Sequence, residues 1–227
     1  MIKLIVFDWN ATILADTAAC FAADKHIIRM FGGERIDLKT YSNTVCHPFV
    51  DYYVSRGCNR KLILRNRTKL AKEFHRFYRQ RSKHARTRRG ARAVLSWVKN
   101  QGIPAIILSN HTQHGVRLQL KRLRLEPFFG DILAHSEVDA MMHYHGTTSK
   151  HARLMEYLTR NRVKHSEILL IGDSPEEMEI GKKIGAVTVG LTGGYYAEWR
   201  LREKGPDFLI HNIKNLIPII KKINAPK

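Results

Sequence analysis

Four short stretches of the chain set polar side chains where phosphoryl chemistry could be done. The run Val6-Phe7-Asp8-Trp9-Asn10-Ala11-Thr12 places a carboxylate at the end of an apolar run, just before a tight polar turn. Such a carboxylate can act as a nucleophile and bind a metal. Leu108-Ser109-Asn110 places a hydroxyl at the end of a second apolar run, where a phosphoryl oxygen could be held. Lys150 follows Thr147-Thr148-Ser149 at an expected helix start, and one ammonium there can neutralise phosphoryl charge. Ile171-Gly172-Asp173-Ser174-Pro175-Glu176-Glu177 ends a third apolar run in acids. Asp173 together with Asp8 makes a hard oxygen site suited to Mg²⁺.

Each stretch has competing readings. Ser109 could instead cap the helix that follows it. Lys182 competes with Lys150 for the cationic role. Glu176, Glu177 and Glu179 compete for the second acidic role; spacing favours Glu177 and leaves Glu176 and Glu179 as a solvated helix face. His143 and His145 alternate, with His135 and His151 nearby, but no cysteine joins them. They read as exposed loop histidines rather than a zinc site.

The elements that must position these residues follow from periodicity. Short β-rich apolar runs predict buried strands over 2–7, 103–108, 131–134, 168–171, 187–191 and 208–210. Apolar residues at helical spacing predict helices over 91–100, 113–125, 150–160 and 176–184 between them. This alternation predicts an α/β fold with a doubly wound (Rossmann-like) parallel sheet. Ligands then lie at the carboxyl ends of the strands, where Asp8, Ser109 and Asp173 stand. Residues 16–88 break the rhythm and read as mostly helical, clearest over 18–31 and 67–81. The expected organisation is an α/β core from 1–15 and 89–227, with an inserted α-helical domain over 16–88.

The chain has 227 residues and a formal charge of +19. Residues 60–92 hold fourteen basic residues against the single acid Glu73, net +13. Leu70, Phe74 and Phe77 fall at helical spacing there and are expected to pack the insert's own core. Arg65, Arg67, Lys69, Lys72, Arg76, Arg79 and Lys83 would form its outer face. That face reads either as solvated charge or as a surface for nucleic acid, whose binding would be salt-sensitive and mostly non-specific. Cys20, Cys46 and Cys58 form an odd set without C-x-x-C spacing, which fits a reducing compartment, hence a cytoplasmic protein. No apolar run is long enough to cross a membrane, and Asp8 interrupts the first one too early for a signal peptide.

Taken in order, the four stretches resemble the motifs of the haloacid dehalogenase superfamily, over nearly the whole chain. Asp8 resembles its nucleophilic aspartate, Thr12 the threonine closing its first motif, Ser109 its second motif and Lys150 its third. Gly172-Asp173 with Glu177 resembles its acidic fourth motif, and the helical insert resembles its cap domain. The tail from Gly193-Gly194-Tyr195 through Gly205-Pro206-Asp207 resembles the phosphoglycolate-phosphatase-like branch. The resemblance implies a phosphate-monoester hydrolase acting on a phosphorylated small molecule. The phosphoryl group would pass to Asp8 and then to water. Mg²⁺ would be held by Asp8, the main-chain carbonyl of Asn10, Asp173 and Glu177, with Ser109, Asn110 and Lys150 on the phosphate.

Two residues depart from the family pattern. Asn10 stands where the family's phosphatases carry an aspartate that protonates the leaving alkoxide and later activates water. An amide can do neither, and a missing general acid–base lowers rates by roughly 10²–10⁴-fold. The chain is then a slow phosphatase, or one limited to good leaving groups such as acyl or aryl phosphates, or one in which another group such as His111 moves the proton. Ala11 replaces a glycine, a mild change wherever φ is negative. The alternative is a superfamily member with weak or lost catalysis that binds RNA or a ribonucleoprotein through residues 60–92.

Overall fold

A computed structural model describes residues 1–136 and 148–226. Six strands form one sheet: β1 (Leu4–Phe7), β2 (Ala105–Thr112), β3 (Ile132–His135), β4 (Ile168–Gly172), β5 (Val187–Leu191) and β6 (Phe208–Ile210). Their order is β3-β2-β1-β4-β5-β6 and every pairing is parallel. All four residues of β1 are buried, because a parallel sheet is covered on both faces. The winding direction reverses between β1 and β4, and a ligand crevice opens at such a switch point.

Helices on both faces supply that cover. On one side Ile5, Phe7 and Ile107 pack with Val94, Leu95 and Val98 of α6 (Ala91–Asn100) and Val116 of α7 (Gln113–Leu123). Leu216 and Ile220 of α11 (Leu216–Asn224) complete that layer. On the other side Leu4, Val6, Ile106 and Leu108 meet Leu154 and Leu158 of α8 (Thr148–Asn161). Ile180 and Ile184 of α9 (Pro175–Ile184) join them. A short α10 (Glu198–Glu203) precedes β6.

Between β1 and α6 the chain forms α1 (Thr17–Met30), α2 (Leu38–Thr44), α3 (Phe49–Ser55), α4 (Arg60–Arg65) and α5 (Arg67–Ser82). They share a core of their own, with Ile27, Ile28, Tyr41, Tyr52, Tyr53, Ile63 and Leu70 all buried. Asp24 sits inside it, accepting the hydroxyls of Tyr41 and Tyr53 at 2.7 Å each. The chain enters and leaves this helical insert on two antiparallel segments. Ala15 N donates to Arg86 O and Arg88 N to Ile13 O, both at 2.8 Å. Arg88 ties the junction to the core, its guanidinium donating to the carbonyls of Ala11 (2.8 Å) and Thr192 (2.6 Å).

Two element boundaries differ from expectation. β2 begins at Ala105 and continues through Ser109 to Thr112, with an irregular register against β3 between Leu108 and Thr112. Ser109 therefore lies within an irregular strand rather than past its end, and such bulges re-aim side chains. α7 ends at Leu123, where Arg124 turns left-handed at φ 52°.

Candidate active site

Asp8 is delivered by β1, whose pairing with β4 continues through the bond from Asp8 N to Ile171 O at 2.9 Å. Asp173 follows β4 directly, so the two carboxylates come from adjacent strand ends at the switch point. Both are buried and line one cavity, together with Asn10, Ser109, Asn110 and Lys150. Burial pushes the Asp8 carboxyl well above its usual range, against the nearby Lys150 ammonium. Burial, then the Glu177 charge, pushes Asp173 up to about 7.

Lys150 reaches this cavity from the first turn of α8 and is 3% exposed. Its Nζ donates to Asp8 Oδ1 at 2.8 Å and to Glu177 Oε1. Burial alone would push its pKa down, but Asp8, Glu177 and Glu176 outweigh that and hold it well above the usual value. Lys182, the competing lysine, is exposed on α9.

Asp173 is oriented from three sides. Thr12 Oγ1 donates to its Oδ1 at 3.1 Å and Tyr195 N to its Oδ2 at 2.7 Å. Gly194 leaves room for it: a Cβ there would collide with the Asp173 carboxylate. Glu177 is held differently. Its Oε2 accepts the backbone and hydroxyl of Ser174 (3.1 and 2.6 Å), closing a capping box at the start of α9, while Oε1 faces Lys150. Gly172 makes space for its methylenes. Both Glu177 oxygens are thus engaged by the protein.

Ser109 Oγ accepts His111 N at 3.1 Å and points its hydroxyl at Asn10 Oδ1, 3.4 Å away. The helix cap that Ser109 might have supplied comes from Thr112, whose Oγ1 accepts Gly115 N at 3.1 Å. Asn110 donates to Glu176 Oε2 at 2.7 Å. Glu176 is consequently buried in the cavity wall, not on a solvated face as expected, because the Asn110 amide satisfies it there. Glu179 does lie on the surface, paired with Lys204 at 2.7 Å.

Asn10 is locked in place. Its Nδ2 donates to Asp16 Oδ2 (2.7 Å) and to the Tyr78 hydroxyl oxygen (3.0 Å). Asp16 also accepts Ala11 N (2.8 Å), the Tyr78 hydroxyl (2.5 Å) and the Tyr195 hydroxyl (3.0 Å). Ala11 adopts φ 56°, so the condition under which its replacement of glycine would be mild is not met. A left-handed alanine is strained by about 1–2 kcal/mol.

His111 lines the cavity, and burial holds it down at about 3. Its Nδ1 accepts Thr112 N at 2.6 Å, so the ring is neutral with its proton on Nε2. A neutral ring in this tautomer is a hydrogen-bond donor, not a base. His135, expected in an exposed loop, is buried at the end of β3 and held at about 4 by burial. His143 and His145 lie outside the described residues.

The structure also recruits residues that spacing did not single out. Arg153, one turn beyond Lys150 on the same face of α8, donates to Ser109 O at 3.0 Å. Asp16 and Tyr78 bond the Asn10 side chain directly, and the Tyr195 hydroxyl reaches this network through Asp16. Phe74, expected in the insert's own core, packs partly there but also lines the cavity.

The donor set suits a hard divalent cation. Asp8 and Asp173 are buried carboxylates whose raised pKa values mark negative charge left under-compensated by the protein. Among the described residues no group of three or more His, Cys, Asp or Glu side chains is arranged to hold a metal. The candidate set is therefore these two carboxylates with main-chain oxygen. No described helix is long and apolar enough to cross a membrane.

A family model of haloacid dehalogenase-like hydrolases matches residues 5–191. A phosphoglycolate phosphatase of Pseudomonas savastanoi is 25% identical over 167 residues, 67% of this chain and 57% of its own length. A pyrophosphatase of Bacillus mycoides is 24% identical over 128 residues, 56% of this chain and 57% of its own length. The chain thus spans a little over half the length of these curated relatives. Among solved structures, a haloacid dehalogenase-like hydrolase of Streptococcus pneumoniae superposes with a TM-score of 0.78 at 16% identity, covering 96% of this chain and 98% of its own. A haloacid dehalogenase-like protein of Agrobacterium tumefaciens superposes at 0.71 with 17% identity, covering 99% and 100%. At such identities the superpositions speak to the fold.

Proposed function

The chain belongs to the haloacid dehalogenase-like hydrolase family, and on that premise we propose that it is a Mg²⁺-dependent phosphatase that hydrolyses phosphate monoesters of small molecules through Asp8. The observation that carries this reading is the convergence of Asp8, Ser109, Lys150 and Asp173 on one buried cavity.

In this reading an Asp8 carboxylate oxygen forms a bond to phosphorus while the ester oxygen leaves with its electron pair. Lys150 lies against Asp8 and neutralises charge on the transferring oxygens. The Ser109 hydroxyl and the Asn110 main chain orient those oxygens. Water then forms the second bond to phosphorus, releasing Asp8 and inorganic phosphate. Asp8, Asp173 and the Asn10 main-chain carbonyl would hold Mg²⁺, with Thr12 and Tyr195 orienting Asp173. When bound, the ion would offset negative charge on the phosphoryl group and the nucleophile. Glu177 acts through Lys150, positioning its ammonium. The helical insert, residues 16–88, serves as the cap that covers the ester.

Release of inorganic phosphate by the purified chain with Mg²⁺, its loss in EDTA and its abolition by Asp8→Asn would support the reading. No release, or release that Asp8→Asn leaves unchanged, would overturn it.

A second reading rests on the outer face of α4 and α5. Arg65, Arg67, Lys69, Lys72 and Arg79 are all exposed. Among the described residues, the lysines and arginines of these two helices form two ion pairs with carboxylates, Arg60 with Asp51 and Arg76 with Glu73. This face would bind RNA through its phosphates, alongside or instead of catalysis.

A further inference from the structure

We propose that the ester hydrolysed here is an aryl phosphate, in which the phosphate is joined directly to an aromatic ring through a phenolic oxygen. The inference rests on the phosphatase reading and narrows it.

Three observations carry it. The first is the aromatic part of the cavity lining, built from Phe49, Phe74, His75, Tyr78, Tyr195 and Tyr196. These rings come from α3, α5 and the segment after β5, and they offer flat apolar faces. Flat aromatic groups pack well against such faces, edge or offset.

The second is the charge of the lining. Among the described lining residues Lys150 is the only lysine or arginine, and it is already bound to Asp8 and Glu177. Burial holds His75 at about 4 and His111 at about 3 and pushes His47 below its ordinary value, so none of the three lining imidazoles adds positive charge at neutral pH. Glu176 and Glu177 add carboxylates to the lining rather than cations. A leaving group with its own carboxylate or second phosphate meets no spare cation there, and burying an unpaired charge is costly. An uncharged ring meets no such penalty.

The third is Asn10. Both amide hydrogens are engaged, by Asp16 and by the Tyr78 oxygen, so the residue has no proton to give a leaving group. An alkoxide is about as basic as hydroxide, whose conjugate acid has a pKa of about 15.7, and it leaves slowly without a proton donor. A phenol like that of tyrosine has a pKa of about 10, so its phenolate departs unassisted far more readily. In this step the Asp8 oxygen bonds to phosphorus and the phosphorus–phenolic oxygen bond breaks. The phenolate takes the electron pair and gains its proton from solvent. Water then displaces Asp8 from phosphorus, giving inorganic phosphate and returning its proton to solvent. A nucleoside monophosphate would satisfy the rings but not the leaving group, since its ester oxygen is an alkoxide.

The test uses the full chain with Mg²⁺ and three probes: 1-naphthyl phosphate, benzyl phosphate and 2-phosphoglycolate. Benzyl phosphate keeps the ring but leaves as an alkoxide. The expected kcat/KM for the naphthyl ester exceeds that for the benzyl ester by at least about 10²-fold, because this ratio does not include the later attack of water that both esters share. Phosphoglycolate should be the poorest of the three in kcat/KM, and 1-naphthol should inhibit competitively where glycolate does not. Phe74→Ala should raise KM for the naphthyl ester roughly tenfold with little change in kcat. The naphthol measurement reads the same pocket without a substitution. Benzyl phosphate or phosphoglycolate hydrolysed with kcat/KM equal to or above the naphthyl ester would overturn this inference and leave the phosphatase reading standing. No phosphate from any of the three would overturn both.

Discussion

Asn10 Nδ2 donates to Asp16 Oδ2 at 2.7 Å, which fixes which way the Asn10 amide faces. A buried carboxylate only accepts, so it must meet the NH₂ end of the amide and turn Oδ1 toward Ser109. The residue that departs from the family pattern is thus part of a satisfied network, not a loose substitution. Asp16 collects the donors of Asn10, Ala11, Tyr78 and Tyr195 and joins the turn after β1 to α5 and to the segment after β5.

Asn10→Asp restores a group able to donate a proton at the leaving oxygen. It is expected to raise kcat/KM on benzyl phosphate by up to about 10²-fold and to leave kcat/KM on 1-naphthyl phosphate nearly unchanged. The new carboxyl would abut Asp16, so thermal melting should fall at the same time. Steady-state kinetics on the two esters, with a melt of each protein, check both parts. A lower rate on the alkyl ester would mean that Asn10 is matched to chemistry other than ester hydrolysis.

Lys150→Ala leaves Asp8, Glu176 and Glu177 buried without their ammonium. Removing one partner of such a group is expected to lower stability by about 3–5 kcal/mol. If the carboxylates hold Mg²⁺, adding the ion should recover part of that loss by binding the folded state alone. Denaturant unfolding with EDTA and with millimolar Mg²⁺ measures both. Identical curves in the two conditions, for the variant and the parent chain, would count against a cation at Asp8 and Asp173.

Asp24 gives the fold a pH dependence far from the reacting groups. Burial raises its pKa from 3.8 to about 6, against the hydroxyls of Tyr53 and Tyr41 and the thiol of Cys20. A raised folded-state pKa means that the folded chain holds the proton more tightly. The stability Asp24 contributes is therefore complete below pH 3.8 and is lost as pH rises through 6. The shift corresponds to about 3 kcal/mol across that window. Asp24→Asn should remove it, so the difference in unfolding free energy between variant and parent should change by about that amount from pH 4 to pH 7. Parallel pH profiles would show that Asp24 does not titrate in this window.

The basic face of α4 and α5 predicts salt-sensitive RNA binding. The anisotropy of a labelled single-stranded RNA should report an affinity falling steeply between 50 and 200 mM salt, by about 10³-fold if some six phosphates are contacted. Replacing Arg65, Lys69 and Lys72 with glutamate should reduce that slope and leave phosphate release intact. Negligible binding at low salt would leave this face as solvated charge.

Much of the architecture was legible in the chain. The six apolar runs became the six strands, and the parallel order followed from their alternation with helices. The family assignment agrees with the four ordered motifs. The helix over 91–100 came out residue for residue, because its apolar spacing is bounded by Gly90 and Gly102. Ser109 was less legible, since a register irregularity between β2 and β3 depends on the partner strand and leaves no local mark. Glu176 was misread for a related reason. Beside Glu177 at a helix start it looks solvated, but Asn110, 66 residues away, and the Lys150 ammonium meet it inside.

The sequence by itself determined which residues stand at strand ends and helix starts, because backbone periodicity and turn chemistry act over a few residues. Asp8, Lys150 and Asp173 could be named on that basis. What tertiary structure decided is how those groups are held and what surrounds them. Lys150 divides itself between Asp8 and Glu177, Thr12 and Tyr195 aim Asp173, and Asp16 immobilises Asn10. Tyr78 and Phe74 turn from the helical insert toward the cavity. Apart from the six-residue link between Asn10 and Asp16, each of these depends on side chains separated by tens of residues or more, meeting in a low-dielectric interior where an unpaired charge or donor is costly. That pairing is a property of the packed whole, so no stretch of sequence carries it alone.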